Sequence, residues 1–344
     1  MTEYKGIIGY FNNIYKNYYK QLMILSFILL FVCIGIVGYK LITTGDFVEK
    51  GVSLKGGITV TIPIKSGLTS TELEAYLKEN VKNADISVRT LSEAGLQKGL
   101  LIEASDIDSA TLISLLNKKI PNLGNNYSIE QTGSSLGHSF FSQTLKAIYI
   151  AFIFMATVVF FYFGENTKSK IIATVLGLTS VIIMFNSHNL IMTILSLIIT
   201  LVLIYVYIKY SIPSFAIMLC AFSDIFFAIA VINILGIKLS TGGVAALLML
   251  VGYSVDSDIL MSVRVLKKKE GTVLDRIYNS IKTGLTMNIA AQITAVVTII
   301  LSQSEVIKQI MIILWIGLIG DIIFTWIQNA GILRMYMEKK HHQK

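Results

Sequence analysis

The sequence predicts a polytopic α-helical membrane protein of about eight spans, with one α+β ferredoxin-like domain outside the membrane. Three observations predict it. Of 344 residues, 54% are hydrophobic and only 15% charged, where a soluble chain carries roughly a quarter charged residues. The apolar residues gather into eight runs, about 21–41, 146–163, 169–185, 189–208, 213–236, 242–262, 285–302 and 307–330, each near the ~20 residues a helix needs to cross hydrocarbon. Between the first two runs lies a polar stretch, 42–145, patterned with strand and helix periods.

The first run follows a segment, 1–20, that mixes Tyr4, Tyr10, Phe11, Tyr15, Tyr18 and Tyr19 with Lys5, Lys16 and Lys20. That mixture suits a short interfacial helix. The run ends Gly38-Tyr39-Lys40, without the small-residue pattern of a cleaved signal peptide. The run at 169–185 is the shortest and holds Thr174, Thr179 and Ser180; a full span and a re-entrant arm both fit it.

The net charge of +8 does not point to nucleic acid, because the basic residues flank membrane ends. Arg264, Lys267, Lys268, Lys269, Arg276 and Lys282 sit in 263–283, Lys168 and Lys170 follow the second run, and Arg334, Lys339, Lys340 and Lys344 follow the last. An even number of spans puts these groups and the N-terminus on one side, which the positive-inside rule makes cytoplasmic. The 42–145 domain then lies outside the cell membrane. Cys33 and Cys220 fall inside apolar runs and read as small packing residues.

Within the outer domain, 58–64 alternates as a half-buried strand, and Pro63 places that strand at a sheet edge or stops it. Thr69 and Glu72 form a capping box before Leu73, Tyr76, Leu77 and Val81 at helical spacing. Strands follow around Ile86–Val88 and Leu100–Ile102, with a turn near Glu93-Ala94-Gly95. A second helix starts near Asp106 or Asp108, buries Leu112, Leu115 and Leu116, and is stopped by Pro121; 127–131 is the last strand. The order βαββαβ is that of a split βαβ sandwich. The domain shows no His, Cys or carboxylate cluster that reads as a metal, cofactor or catalytic site.

Four aspartates fall inside apolar runs: Asp224, Asp256, Asp258 and Asp321. An ionised side chain there costs ~2.5–3.5 kcal/mol on insertion scales, so it faces a bundle interior, a partner or a wet cavity. Asp256 and Asp258 point about 200° apart on a helix and cannot serve one site. Asp258, nearer Arg264, reads as a paired interfacial charge. Counted from the short link 236–240, Asp224 and Asp256 differ in depth by only ~5 Å at 1.5 Å per residue. Two carboxyl groups in one layer favour sharing a proton over ionising together. Asp224 and Asp256 are therefore the ion-coupling candidates, with two protonated acids that tie helices together as the other reading. Asp321, with Asn288, Gln292, Gln328 and Asn329 nearby, reads as a polar seam between helices. Gly242, Gly243, Ala245, Ala246 and Gly252 read as a close-packing stripe.

Several strings resemble the SecF subunits of the protein translocase, archaeal type, in the SecD/SecF family. They are Glu49-Lys-Gly51-Val-Ser-Leu-Lys-Gly56-Gly57, Pro213-Ser-Phe-Ala-Ile with Ser223-Asp-Ile, and Val244 to Leu260 containing Gly252-Tyr253-Ser254-Val-Asp-Ser-Asp258. The resemblance implies an accessory subunit of the Sec export machinery that pairs with SecD, has an RND-like membrane bundle, and engages polypeptide leaving the channel. It maps the family's membrane carboxylates onto Asp224 and Asp256. Two departures stand out. Ser53 occupies a position where the family has Asp, and the family's six spans are matched by setting 165–209 aside as an added hairpin. The resulting partition is 1–20, 21–41, 42–145, 146–163, 165–209, a core at 211–333 and a basic tail at 334–344.

The expected partners are a SecD-like subunit, the Sec channel, translocating polypeptide and membrane lipid, with no enzymatic activity and no cofactor. A small-molecule or lipid exporter subunit of the same superfamily is the alternative. An intramembrane aspartyl protease is disfavoured, because the strings Phe222-Ser-Asp224 and Gly252-Tyr-Ser-Val-Asp256 lack that class's motifs.

Overall fold

The computed structural model describes residues 15–342 except 64–67, 82–83, 94–95, 121–122, 125, 188, 269–270 and 303. The expectations placed on residues 1–14, the turn at 94–95, Pro121, Lys269 and Lys344 lie outside the described residues.

The chain begins with helix α1 (Tyr19–Thr44), which a left-handed Gly45 closes by donating to Leu41 O at 2.9 Å. Its buried residues Tyr19, Ser26, Leu30, Cys33 and Val37 form one stripe, and Ile24, Leu25, Ile28, Phe31 and Val32 stand exposed. An apolar side open to the surroundings is what a helix facing lipid presents. A short helix α2 (Val52–Lys55) then leads into the α+β domain: β1 (Gly57–Ile62), α3 (Ser70–Asn80), β2 (Asp85–Glu93), β3 (Leu96–Ser105), α4 (Ser109–Lys119) and β4 (Ser128–Thr132). The βαββαβ order read from the sequence is the observed one. The strands pair in the order β2-β3-β1-β4, all antiparallel.

This sheet has one buried face. Ile58, Val60 and Ile62 of β1 alternate inward and meet Ile86, Val88, Leu100, Ile102, Leu73, Leu77, Leu112 and Leu116 in a single core. Strand β1 is interior, so Pro63 ends it rather than marking an edge. Thr69 Oγ1 accepts from Glu72 N at 3.3 Å at the start of α3, and Asp108 caps α4 through Ala110 N at 3.1 Å. Leu115, expected in the core, is half-buried.

The rest is helical: α5 (Ser134–Phe163), α6 (Thr167–Phe185), α7 (Leu190–Tyr210), α8 (Ile212–Ile234), α9 (Thr241–Lys267), α10 (Val273–Leu301), α11 (Glu305–Ile323), a π-helical segment (Phe324–Asn329) and α12 (Ala330–His342). Among the described residues, eight helices are long and apolar enough to cross a membrane. The stretch expected as either span or re-entrant arm is the continuous 19-residue helix α6. Helix α8 sits at the centre, with 67% of its apolar window buried, against 17% for α10 and 22% for α1.

Glycines bring the central helices together. A Cβ on Gly243 would lie 2.8 Å from Ile313, and one on Gly320 would lie 2.8 Å from Phe227; one on Gly317 would overlap Leu250. Such absences of side chain let membrane helices approach closely. Ala245 and Gly252, expected on the same stripe, face outward, and nothing lies within 4 Å of a Cβ built on Gly252. On the helix they lie about 160–180° from Gly243.

Candidate functional site

Three carboxyl groups from the three most buried helices converge inside the bundle. Asp224 of α8, Asp258 of α9 and Asp321 of α11 each have no exposed surface. Asp256 does not join them. It is exposed on the opposite side of α9, and this corrects the pairing expected with Asp224. Depth along the helix was right, but rotation was not: Ser254 and Asp258, one turn apart, face inward, and Asp256 lies about 200° from Asp258. The Asp224 layer is met by Ser254, whose hydroxyl donates to Asp224 Oδ2 at 2.5 Å. Asp258 is no interfacial charge either, because Arg264 instead donates to Asn279 O at 2.6 Å and Thr283 Oγ1 at 2.8 Å.

Thr325 links the other two acids. Its Oγ1 lies 3.0 Å from Asp258 Oδ1 and 2.8 Å from Asp321 Oδ1. A hydroxyl has one proton to donate. When both contacts are hydrogen bonds, the second carboxyl group must bring its own proton. The geometry is a carboxyl–hydroxyl–carboxyl chain joining two acids. Asn329 Nδ2 donates to Asp258 Oδ1 at 2.7 Å, and Asn288 Nδ2 donates to Asp321 Oδ2 at 2.7 Å. Gln292 Nε2 donates in turn to Asn288 Oδ1 at 2.7 Å, completing the polar seam read from the sequence between α10 and α11.

The π-helical segment is what presents this side of the site. Thr325, Gln328 and Asn329 are all fully buried there. A π turn widens the helix locally, and such bulges recur at functional sites. Trp326, in the same segment, occupies the space that a Cβ on Gly284 of α10 would need.

Two residues escaped the sequence reading. Thr325 went unremarked, although Asp321, Thr325 and Asn329 are spaced by four. Cys220, which the sequence presents as a packing residue, places its sulfur 3.6 Å from Thr325 Oγ1. Several buried polar atoms have no partner in the chain, among them Asp224 Oδ1, Asp258 Oδ2 and Asn329 Oδ1. Buried acceptors normally find a proton, a water or an ion. Among the described residues no His/Cys/Asp/Glu group has metal-binding geometry.

The glycine motif after α1 is an approach site for backbone. Gly51 N donates to Leu239 O at 2.7 Å, and a Cβ on Gly51 would lie 3.2 Å from that oxygen. Gly56 and Gly57 have φ of 92° and 144°, and a Cβ on Gly57 would overlap Ala104 O. Gly252 and Tyr253 are exposed, and Ser254 and Asp258 of the Gly252–Asp258 string enter the site.

The fold and site together define a multi-pass membrane protein with one α+β domain after its first long helix and a buried three-carboxylate centre. Residues 185–339 match the family described as protein export membrane protein SecD/SecF, C-terminal; the matched stretch takes in α7, which lies inside the 165–209 segment set aside above. The chain is 32% identical to the protein-export membrane protein SecF of Pyrococcus furiosus over 322 residues, covering 93% of this chain and 92% of the relative. It is 30% identical to that of Methanocaldococcus jannaschii over 341 residues, covering 95% and 98%. The chain belongs to the SecF family of protein-export membrane proteins. Its fold is similar to that of SecDF from Thermus thermophilus, a translocon-associated membrane protein, with a TM-score of 0.57 at 14% identity, covering 96% of this chain. The chain spans 38% of the length of that SecDF chain.

Proposed function

We propose that this chain is an accessory membrane subunit of the protein-export machinery, without enzymatic activity, that assists polypeptide translocation together with a SecD-type partner and the protein-conducting channel. The observation that carries this reading is the 32% identity to a SecF over 93% of the chain. A partner is supported by the chain's matching only 38% of a SecDF chain.

The membrane centre is the ion-coupling element of this reading. Asp224, Asp258 and Asp321 form it, with Thr325 and Ser254 holding the carboxyl groups. One charge crossing ~150 mV yields ~3.5 kcal/mol, which biases a two-state population by a few hundredfold. The chain is multi-pass. Its termini and basic links are cytoplasmic, as supported by Arg264, Lys267, Lys268, Arg276 and Lys282 clustering at the end of α9, in the link after it and in the first turns of α10. The α+β domain then stands outside, where it meets emerging polypeptide, and the exposed apolar helix faces meet lipid.

Affinity purification of the full chain from native membranes tests the reading. Recovery of a SecD-type chain and channel subunits is the expected result. Recovery of the chain alone, active as a homo-oligomer in moving small molecules, contradicts it.

A further inference from the structure

We propose that Ser53 is a positioning residue, capping membrane helix α9 from the α+β domain so that the domain's base and the helix carrying Ser254 and Asp258 move as one body. The contact is direct: Thr241 N, the first backbone donor of α9, is 3.2 Å from Ser53 Oγ. The first four N–H groups of a helix have no partner within it, and a serine oxygen is a preferred one. Ser240, the cap from the chain itself, accepts from Gly243 N at 3.4 Å. The two serines thus satisfy different donors, and Ser53 supplies one that α9 cannot supply for itself.

The surrounding geometry makes this contact part of a fixed joint. Leu239 N donates to Glu49 O and Gly51 N donates to Leu239 O, both at 2.7 Å, forming a parallel bridge between Lys50 and Leu239. Lys238 Nζ reaches Asp85 of β2 at 2.7 Å, and Gln309 Nε2 of α11 donates to Lys238 O at 2.5 Å. Asn233 Nδ2, near the end of α8, donates to Phe47 O at 2.9 Å. The α8–α9 link is therefore held by the segment before β1, by the sheet and by α11. These are the helices that carry the three carboxyl groups. From Thr241 to Asp258 the helix runs about 25 Å at 1.5 Å per residue. A rigid helix held at one end by Ser53 conveys a shift at Asp258 to the base of the sheet.

The capping claim stands on geometry alone; its use in transmission rests on the ion-coupling reading. Hydrogen exchange of the full chain in lipid nanodiscs separates the two without an export assay. Ser53→Ala is expected to speed exchange of the Thr241 amide and its neighbours about fivefold, the loss of one cap, and Ser53→Thr and Ser53→Asp are expected to restore protection. Unchanged exchange in Ser53→Ala overturns the cap, as does failure of both hydroxyl- and carboxylate-bearing variants to protect. For transmission, Asp258→Asn is made in each background. The expected result is altered exchange across 47–57 in the Ser53 protein and a smaller alteration in Ser53→Ala. An equal response in both backgrounds overturns the positioning role even if the cap is real, and leaves the export reading to its own test.

Discussion

Replacing Thr325 by Val removes the hydroxyl that joins Asp258 to Asp321 and leaves the side-chain shape almost unchanged. The structure sets the size of the effect. Two contacts to carboxyl groups disappear, at 3.0 Å and 2.8 Å, together with the weak one to the Cys220 sulfur. Each carboxyl group keeps an amide donor, Asn329 for Asp258 and Asn288 for Asp321, both at 2.7 Å. Neither acid is stranded, so the ~3–5 kcal/mol of an abandoned buried charge does not apply. Hydrogen bonds between membrane helices average about 0.6 kcal/mol and reach about 1.7. Two of them give a loss of about 1–3 kcal/mol for Thr325→Val. Reversible unfolding in mixed micelles or steric trapping in bicelles measures it, with Thr325→Ser as the control that keeps the hydroxyl. The reasoning is refuted by a Val variant within about 0.3 kcal/mol of the parent, or by a Ser variant as unstable as the Val one.

Three further outcomes follow from other parts of the molecule. Gly284→Ala forces a methyl group into the ring of Trp326, and overpacking of this kind costs about 1–3 kcal/mol in the same unfolding measurement; an unchanged stability shows that the ring moves freely. In the α+β domain, burial pushes the Glu74 carboxyl up, but the Lys78 ammonium at 2.5 Å and the Val88 amide at 3.2 Å hold it net below its ordinary 4.5. A depressed carboxylate contributes fully above its unfolded value and is lost as pH falls through the folded one. Protection of the Val88 amide should therefore hold down to about pH 4.5 and fall below it, with that acid limb flattened in Glu74→Gln. Finally, a cysteine placed at the exposed Glu79 of α3 should react with an impermeant reagent from outside the cell, since Cys33 and Cys220 are buried. Reaction from the cytosolic side alone inverts the topology.

Much of the fold was legible because hydrophobic length and period are local properties. Eight apolar runs became eight helices, and Ile58, Val60 and Ile62 turned inward as their alternation required. Thr69 and Asp108 capped the helices they precede. The site was legible in its depth and not in its rotation. Counting residues from the 236–240 link places Asp224 and the 254–258 stretch in one layer, but which of Asp256 and Asp258 turns inward depends on which side of α9 packs. The buried row Gly243, Leu247, Leu250, Ser254, Asp258, Met261 and Val265 carries that information at helical spacing, so the phase was present in the pattern. The π-helical segment was not: Phe324-Thr-Trp-Ile-Gln-Asn329 holds no Gly or Pro, and the helices it packs against, α1, α8 and α9, are distant in sequence. The joint between Ser53 and α9 was hidden for a similar reason, since it spans 188 residues of sequence.

The most direct test compares Asp258→Asn with Asp256→Asn in gradient-dependent export by membrane vesicles that contain the partner subunits. Both substitutions remove one carboxylate from the same helix, two residues apart. The account predicts that Asp258→Asn loses the gradient-dependent part of export by about tenfold or more, a change of at least ~1.4 kcal/mol, and that Asp256→Asn retains it. Full export in Asp258→Asn, or its loss in Asp256→Asn, contradicts the assignment of the buried carboxylate centre.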